Sequence, residues 1–113
     1  MTESHIVTLD LSTVKDWSSF HDLFKLKLGF PDFYGRNMNA WIDCMGDIHQ
    51  DTGMTNLFLP YDTGLTLRFT NSRFFKFKHP RIYRLLKECT VFVNKEHIEH
   101  DQPGAAPIKL EFT

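Results

Sequence analysis

The chain has no GxxxxGK(S/T) or GxGxxG loop, no HExxH, no GxSxG and no calcium-binding loop. Nucleotide, zinc-protease, hydrolase and calcium chemistry therefore lack their usual anchors. No apolar run approaches the roughly 18 residues that span a membrane, and the opening MTESHIVTLDLS carries neither the basic nor the apolar segment of a signal peptide. The cytoplasm is the expected location, with no membrane partner. Cysteine is scarce: Cys44 and Cys89 stand alone, without a CxxC, which favours reduced buried thiols over a disulfide or a zinc site. The net charge of −1 supplies no global attraction to nucleic acid or to an acidic surface.

What is present points to a packed core. Of 113 residues, 42% are apolar and 14% aromatic, eleven of them Phe, which argues against disorder. The expectation is a single domain over residues 1–113, monomeric, with one core. Its charge is unevenly spread. Between Gly29 and Gly64, Asp32, Asp43, Asp47, Asp51 and Asp62 face Arg36 alone, whereas between Asn71 and Glu88 six Lys and Arg residues face Glu88 alone. An acidic side and a basic side follow, with two merely solvated faces as the plainer alternative.

HIVTLDL (His5 to Leu11) alternates as a half-buried strand does. Trp17, Phe20, Leu23, Phe24 and Leu28 recur at helical spacing, with Asp16 or Ser18 as the N-cap and Gly29 as the stop. Pro31 blocks continuation, and Asn37 caps a short second helix to about Met45. Met38, Trp41 and Met45 form its inward row, while Asn39 and Asp43 share the opposite face, Asp47 lies near the end and Ile42 sits between. Residues 46–64 read as a long loop with a small hairpin around Leu57 to Leu59. LTLRFTN (Leu65 to Asn71) is a second strand. A short helical piece over Arg73 to Phe77 follows, and Pro80 opens a longer helix, with Ile82, Leu85, Leu86, Cys89 and Val93 on one side, reaching about His100. IKLEF (Ile108 to Phe112) is the last strand. Strands separated by helices imply an α/β fold, a small parallel sheet joined by crossovers.

Catalytic signals are thin, and no enzyme activity, cofactor or metal is expected. His97 and His100 in EHIEHD are three residues apart but have no evident third ligand, so a solvated polar helix end is the simpler reading. Asp43 and Asp47 are spaced as an acid/base pair, without any sign of a pocket that separates their pKa values. His21, among the apolar positions of the first helix, reads as a satisfied core histidine. RFFKFKHPRIYR (Arg73 to Arg84) has the cations and aromatics to track a phosphate backbone, though its phenylalanines more simply read as core anchors.

The densest signature is LGFPDFYGRNMNAWIDCM, Leu28 to Met45. Its Pro31, Asp32, Phe33, Tyr34, Gly35 and Asn37 turn, followed by Ala40 and the Asp43–Cys44 pair, resembles the barstar family, intracellular inhibitors of secreted bacterial ribonucleases; His21 also falls at that family's spacing. The resemblance implies a barstar-like fold, a three-stranded parallel sheet covered by helices. It also implies a partner: a protein toxin, a basic secreted ribonuclease or related nuclease, and no nucleic acid. The second helix and the loop before it are then expected to enter the toxin's active site, where carboxylates replace substrate phosphates. The family's central inhibitory aspartate falls on Asp43, an aromatic contact on Phe33 (without a tyrosine's hydroxyl), and the capping asparagine on Asn37. A second inhibitory carboxylate falls on Asn39, a tryptophan contact on Ile42 and a later acidic contact on Glu88. Asp47, with Asp51 and Asp62, is placed to restore negative charge. An interaction module of the same fold without toxin inhibition remains the alternative, with an enzyme or RNA binder behind it.

Overall fold

The computed structural model describes residues 3–113. In chain order its elements are β1 (Glu3–Asp10), a 3-10 turn (Leu11–Thr13), α1 (Trp17–Leu28), α2 (Met38–Met45), β2 (Thr63–Thr70), α3 (Phe75–Lys78), α4 (Pro80–Phe92), a π-helical continuation of α4 (Val93–His100) and β3 (Ile108–Phe112). The strands form one parallel sheet in the order β1-β2-β3. His5 lies opposite Leu65, Leu9 opposite Phe69 and Leu67 opposite Leu110. Parallel neighbours require crossovers, and the helices between the strands supply them. Among the described residues no helix is long and apolar enough to cross a membrane.

Local signals set the first half of the chain. Asp16, not Ser18, caps α1: its carboxylate accepts from Ser19 N at 2.8 Å in a reciprocal capping box. Gly29 ends the helix at φ 64°, where a Cβ would stand 2.7 Å from that of Asn56. No other residue type is comfortable there. Phe20, Phe24 and Leu28 turn inward and are wholly buried with Trp41 and Met45 of α2 and Leu65, Leu67 and Phe69 of β2. Phe24 meets the Trp41 ring edge-on at 5.6 Å between centroids. The Trp41 indole N–H has no hydrogen-bond partner among the described residues.

The remainder depends on longer-range contacts. No strand forms at Leu57 to Leu59, where a hairpin was expected. Leu59 N instead donates to Ile48 O at 2.8 Å, and the buried His49 ring spans Leu59 O and Ala106 O at 3.1 and 2.9 Å. The last helix does reach His100, but its second half widens to π winding. Val93 and Ile98 explain this, since both are buried at five residues' separation. A regular α-helix would turn Ile98 about 140° away from Val93, whereas the wider π turn brings both onto the core. Asn94 then clips this segment to β3, donating to Ile108 O and accepting from Ile108 N, each at 2.8 Å.

Candidate interaction groove between α2 and α4

The turn before α2 is fastened to α1 at several points. Tyr34 N donates to Pro31 O at 2.9 Å, and the buried Tyr34 hydroxyl meets His21 Nδ1 at 2.5 Å. Burial, then the Arg36 charge, pushes the His21 pKa down, and burial pushes Tyr34 up. These shifts favour the neutral imidazole and the neutral phenol, which together form one hydrogen bond. His21 is the satisfied core histidine expected of it. Arg36 sits at φ 55° and is held there by its guanidinium, which reaches Asp22 Oδ1 at 2.8 Å and Ser18 O at 2.9 Å. Asn37 Oδ1 accepts from Ala40 N at 2.8 Å, so its amide caps α2. Phe33, at the tip of the turn, is 78% exposed.

So positioned, α2 points its outer face at the last helix. Between them lies a groove of about 470 Å³ lined by Asn39, Ile42 and Asp43 on one wall and Glu88, Cys89, Phe92 and His97 on the other. Four residues singled out in the sequence thus converge: Asn39, Ile42, Asp43 and Glu88. Three others lie outside the groove. Phe33 and Asn37 belong to the turn, and Asp47 stands beyond the end of α2, where its Oδ2 accepts from Thr52 Oγ1 at 2.8 Å. Asp43 is exposed and makes no ion pair among the described residues. Glu88 has only a 3.9 Å contact to exposed Arg84, one turn away, a weak pair in water.

Cys89, Phe92 and His97 are wall residues that the sequence reading missed. Phe92 is 48% exposed and follows Glu88 by four residues, so helical spacing alone places it on that face. His97 had no such signal. It comes near α2 through the π winding and through Gly46, where a Cβ would stand 3.0 Å from that of His97. Its ring lies 5.8 Å from that of Phe92. His97 is therefore half-buried against the groove rather than part of a solvated helix end. His100 is exposed and bonded to Asp101 at 3.0 Å, a contact that raises its pKa.

The groove has two exposed carboxylates, Asp43 and Glu88, and no activated nucleophile. Cys44 and Cys89 are both free. Burial, then Asp43 and Asp47, pushes the Cys44 thiol up to about 11, and burial, then Glu88, raises Cys89. Protonated thiols are poor nucleophiles at neutral pH. No three His, Cys, Asp or Glu residues among those described are grouped to hold a metal ion. What α2 offers is an exposed carboxylate beside an apolar and aromatic wall.

A family model described as Barstar (barnase inhibitor) matches residues 4–103. No curated protein matches the chain.

Proposed function

The chain belongs to the barstar family, and from that premise we propose that it inhibits a basic ribonuclease or related toxin by seating α2 and the preceding turn in the enzyme's active site. The observation that carries this reading is Asp43: an exposed carboxylate free of intramolecular ion pairs among the described residues, on a helix fastened at its start and facing Glu88 across the groove. An enzyme that binds a polyanion must offer cations, and an unpaired carboxylate on a rigid helix meets them without first breaking a bond of its own. Phe33 reaches out from the turn as an aromatic anchor, Asn37 fixes the angle of α2, and Asp47 adds negative charge at the far end. Asn39 and Ile42 complete the contact face, and Glu88 closes it from α4.

Two replacements favour a second reading, a docking module of the same fold whose partner is not a barnase-like ribonuclease. The amide of Asn39 supplies no charge where a second inhibitory carboxylate is expected, and Ile42 stands in place of an aromatic contact. Titrating the chain into a basic ribonuclease acting on a fluorogenic RNA separates the two. Inhibition at equimolar ratio, weakened about 100-fold or more by Asp43→Arg, is the expected result. Full ribonuclease activity in the presence of excess wild-type chain would leave the docking module. An Asp43→Arg variant as potent as wild type would remove the groove from both readings. The variant's stability should be unchanged to within about 0.5 kcal/mol, because the replaced side chain is exposed.

A further inference from the structure

The basic half of the chain has a surface of its own. In the stretch from Arg73 to Lys78 only Phe75 reaches the core, at 5% exposure; Phe74 and Phe77 are 57% and 72% exposed. These two rings are not the core anchors the sequence led one to expect. Each has a neighbouring cation over its face: the Arg73 guanidinium lies 5.1 Å from the Phe74 centroid and the Lys76 ammonium 5.3 Å from that of Phe77. Beside them opens a cavity of about 560 Å³, the size of a small-molecule site. Leu11, Val14 and Phe75 form its floor, each at 2% to 5% exposure, and the exposed Lys15, Arg73 and Lys78 stand around its rim.

We propose that this surface, formed by α3 and the 3-10 turn after β1, binds single-stranded nucleic acid, with bases against Phe74, Phe77 and the recessed floor and phosphates on Lys15, Arg73, Lys76 and Lys78. Cations around aromatic faces are what an unpaired strand requires, because every base has a flat face and every linkage a charge. Asp10 and Asp16 make no ion pair with these cations among the described residues. Asp10 accepts from Asn71 Nδ2 at 2.8 Å and from Ser12 N at 2.9 Å, and the Asp16 carboxylate is committed to the cap of α1. An anionic bilayer is the less suitable occupant, since its surface would touch Phe74 and Phe77 but not reach the recessed floor. The near-neutral total charge had argued against a nucleic-acid partner, yet the local field, not the total, acts on a ligand at close range. This inference is independent of the inhibitor reading.

Fluorescence anisotropy of a short labelled oligouridylate, titrated with the full chain, provides the test. Saturable binding is expected to weaken about 50-fold as salt rises from about 50 to about 200 mM, the dependence of roughly four phosphate contacts on a single strand. Phe74→Ala and Phe77→Ala should each weaken it about fivefold or more through lost stacking, and Lys78→Glu should abolish it, while Asp43→Arg should leave it unchanged. All three surface positions are exposed, so unaltered urea midpoints are expected to accompany those losses. Absence of saturable binding at low salt would overturn the proposal. So would binding that responds to Lys78→Glu but not to either Phe variant, which would reduce the surface to diffuse charge. Equal or tighter attachment to phosphatidylglycerol vesicles that the oligonucleotide does not displace would also overturn it, in favour of a membrane.

Discussion

The two walls of the groove are built by opposite means. The α2 wall is local: Asn37 caps it, and the Tyr34–His21 bond and the Arg36 contacts to Asp22 and Ser18 fasten the turn that leads into it. The facing wall has no side-chain cap at the start of α4, changes winding at Val93, and is tied to α2 by one residue far along the chain. That residue is Gln102, whose Nε2 donates to Gly46 O at 2.9 Å and to His97 O at 2.8 Å. One wall is preorganised around its own cap and carries the Asp43 carboxylate. The other is shaped by tertiary contacts and carries Glu88 together with the aromatic and imidazole groups. A partner's cations would meet the rigid side, and its remaining surface the side that packing alone holds in place.

Gln102→Leu should break this arrangement most severely. Gln102 is buried, and its loss leaves two carbonyls without their donor and Gln50 without the acceptor it reaches at 3.0 Å. A penalty of about 2–3 kcal/mol is expected, read as a lower urea midpoint. Partner affinity should fall as well, because His97 is released from α2 while Asp43 stays in place. A variant with full stability and full affinity would show that the second wall takes no part in binding.

The local wall is tested through His21, and here pH provides the sharper readout. Burial and the Arg36 charge hold the folded-state pKa below the ordinary 6.5, with Asp22 opposing. The unfolded chain therefore binds this proton more tightly, so the stability His21 contributes is complete above about pH 6.5 and is lost as pH falls through the lowered folded value. His21→Gln should cost about 1–2 kcal/mol at mildly alkaline pH by disrupting the buried bond to Tyr34. Its deficit relative to wild type should shrink as the pH is lowered, a double difference that cancels the other histidines. A deficit that is constant with pH would mean that His21 contributes packing alone.

The same contrast decides how much could be read from the residues. The Asn37 cap, the stop at Gly29 and the inward row of Trp41 and Met45 are consequences of nearby side chains, and the structure has all of them. The parallel sheet followed from strands separated by helices. Phe92, four residues after Glu88, was legible from helical spacing, whereas His97 escaped because its position depends on a winding that only the joint burial of Val93 and Ile98 explains, and on a tether that sequence spacing does not announce. The exposed phenylalanines were misread for a related reason. α3 has four residues, scarcely one turn, and it turns Phe75 to the core while Phe74 and Phe77, three residues apart and so on one face, are left outside.

The smallest expected effect on stability comes from Asn39→Asp, which strengthens the rigid wall. Asn39 is the second residue of α2, where a negative charge meets the positive end of the helix dipole and gains about 0.3–1 kcal/mol. Asp43, four residues on, repels it by a few tenths of a kcal/mol. The two nearly cancel, leaving a net stabilisation of at most about 0.5 kcal/mol in urea unfolding at low salt. Affinity is the larger readout, since the new carboxylate fills the position where a second inhibitory acid is expected. A basic ribonuclease should bind this variant about tenfold more tightly, the gain diminishing with salt as an exposed charge pair requires. Unchanged affinity, with inhibition still sensitive to Asp43→Arg, would place the partner's cations away from the first turn of α2. The contact would then have to run from Asp43 across to Glu88, Phe92 and His97, making the wall that local sequence does not specify the one that selects the partner.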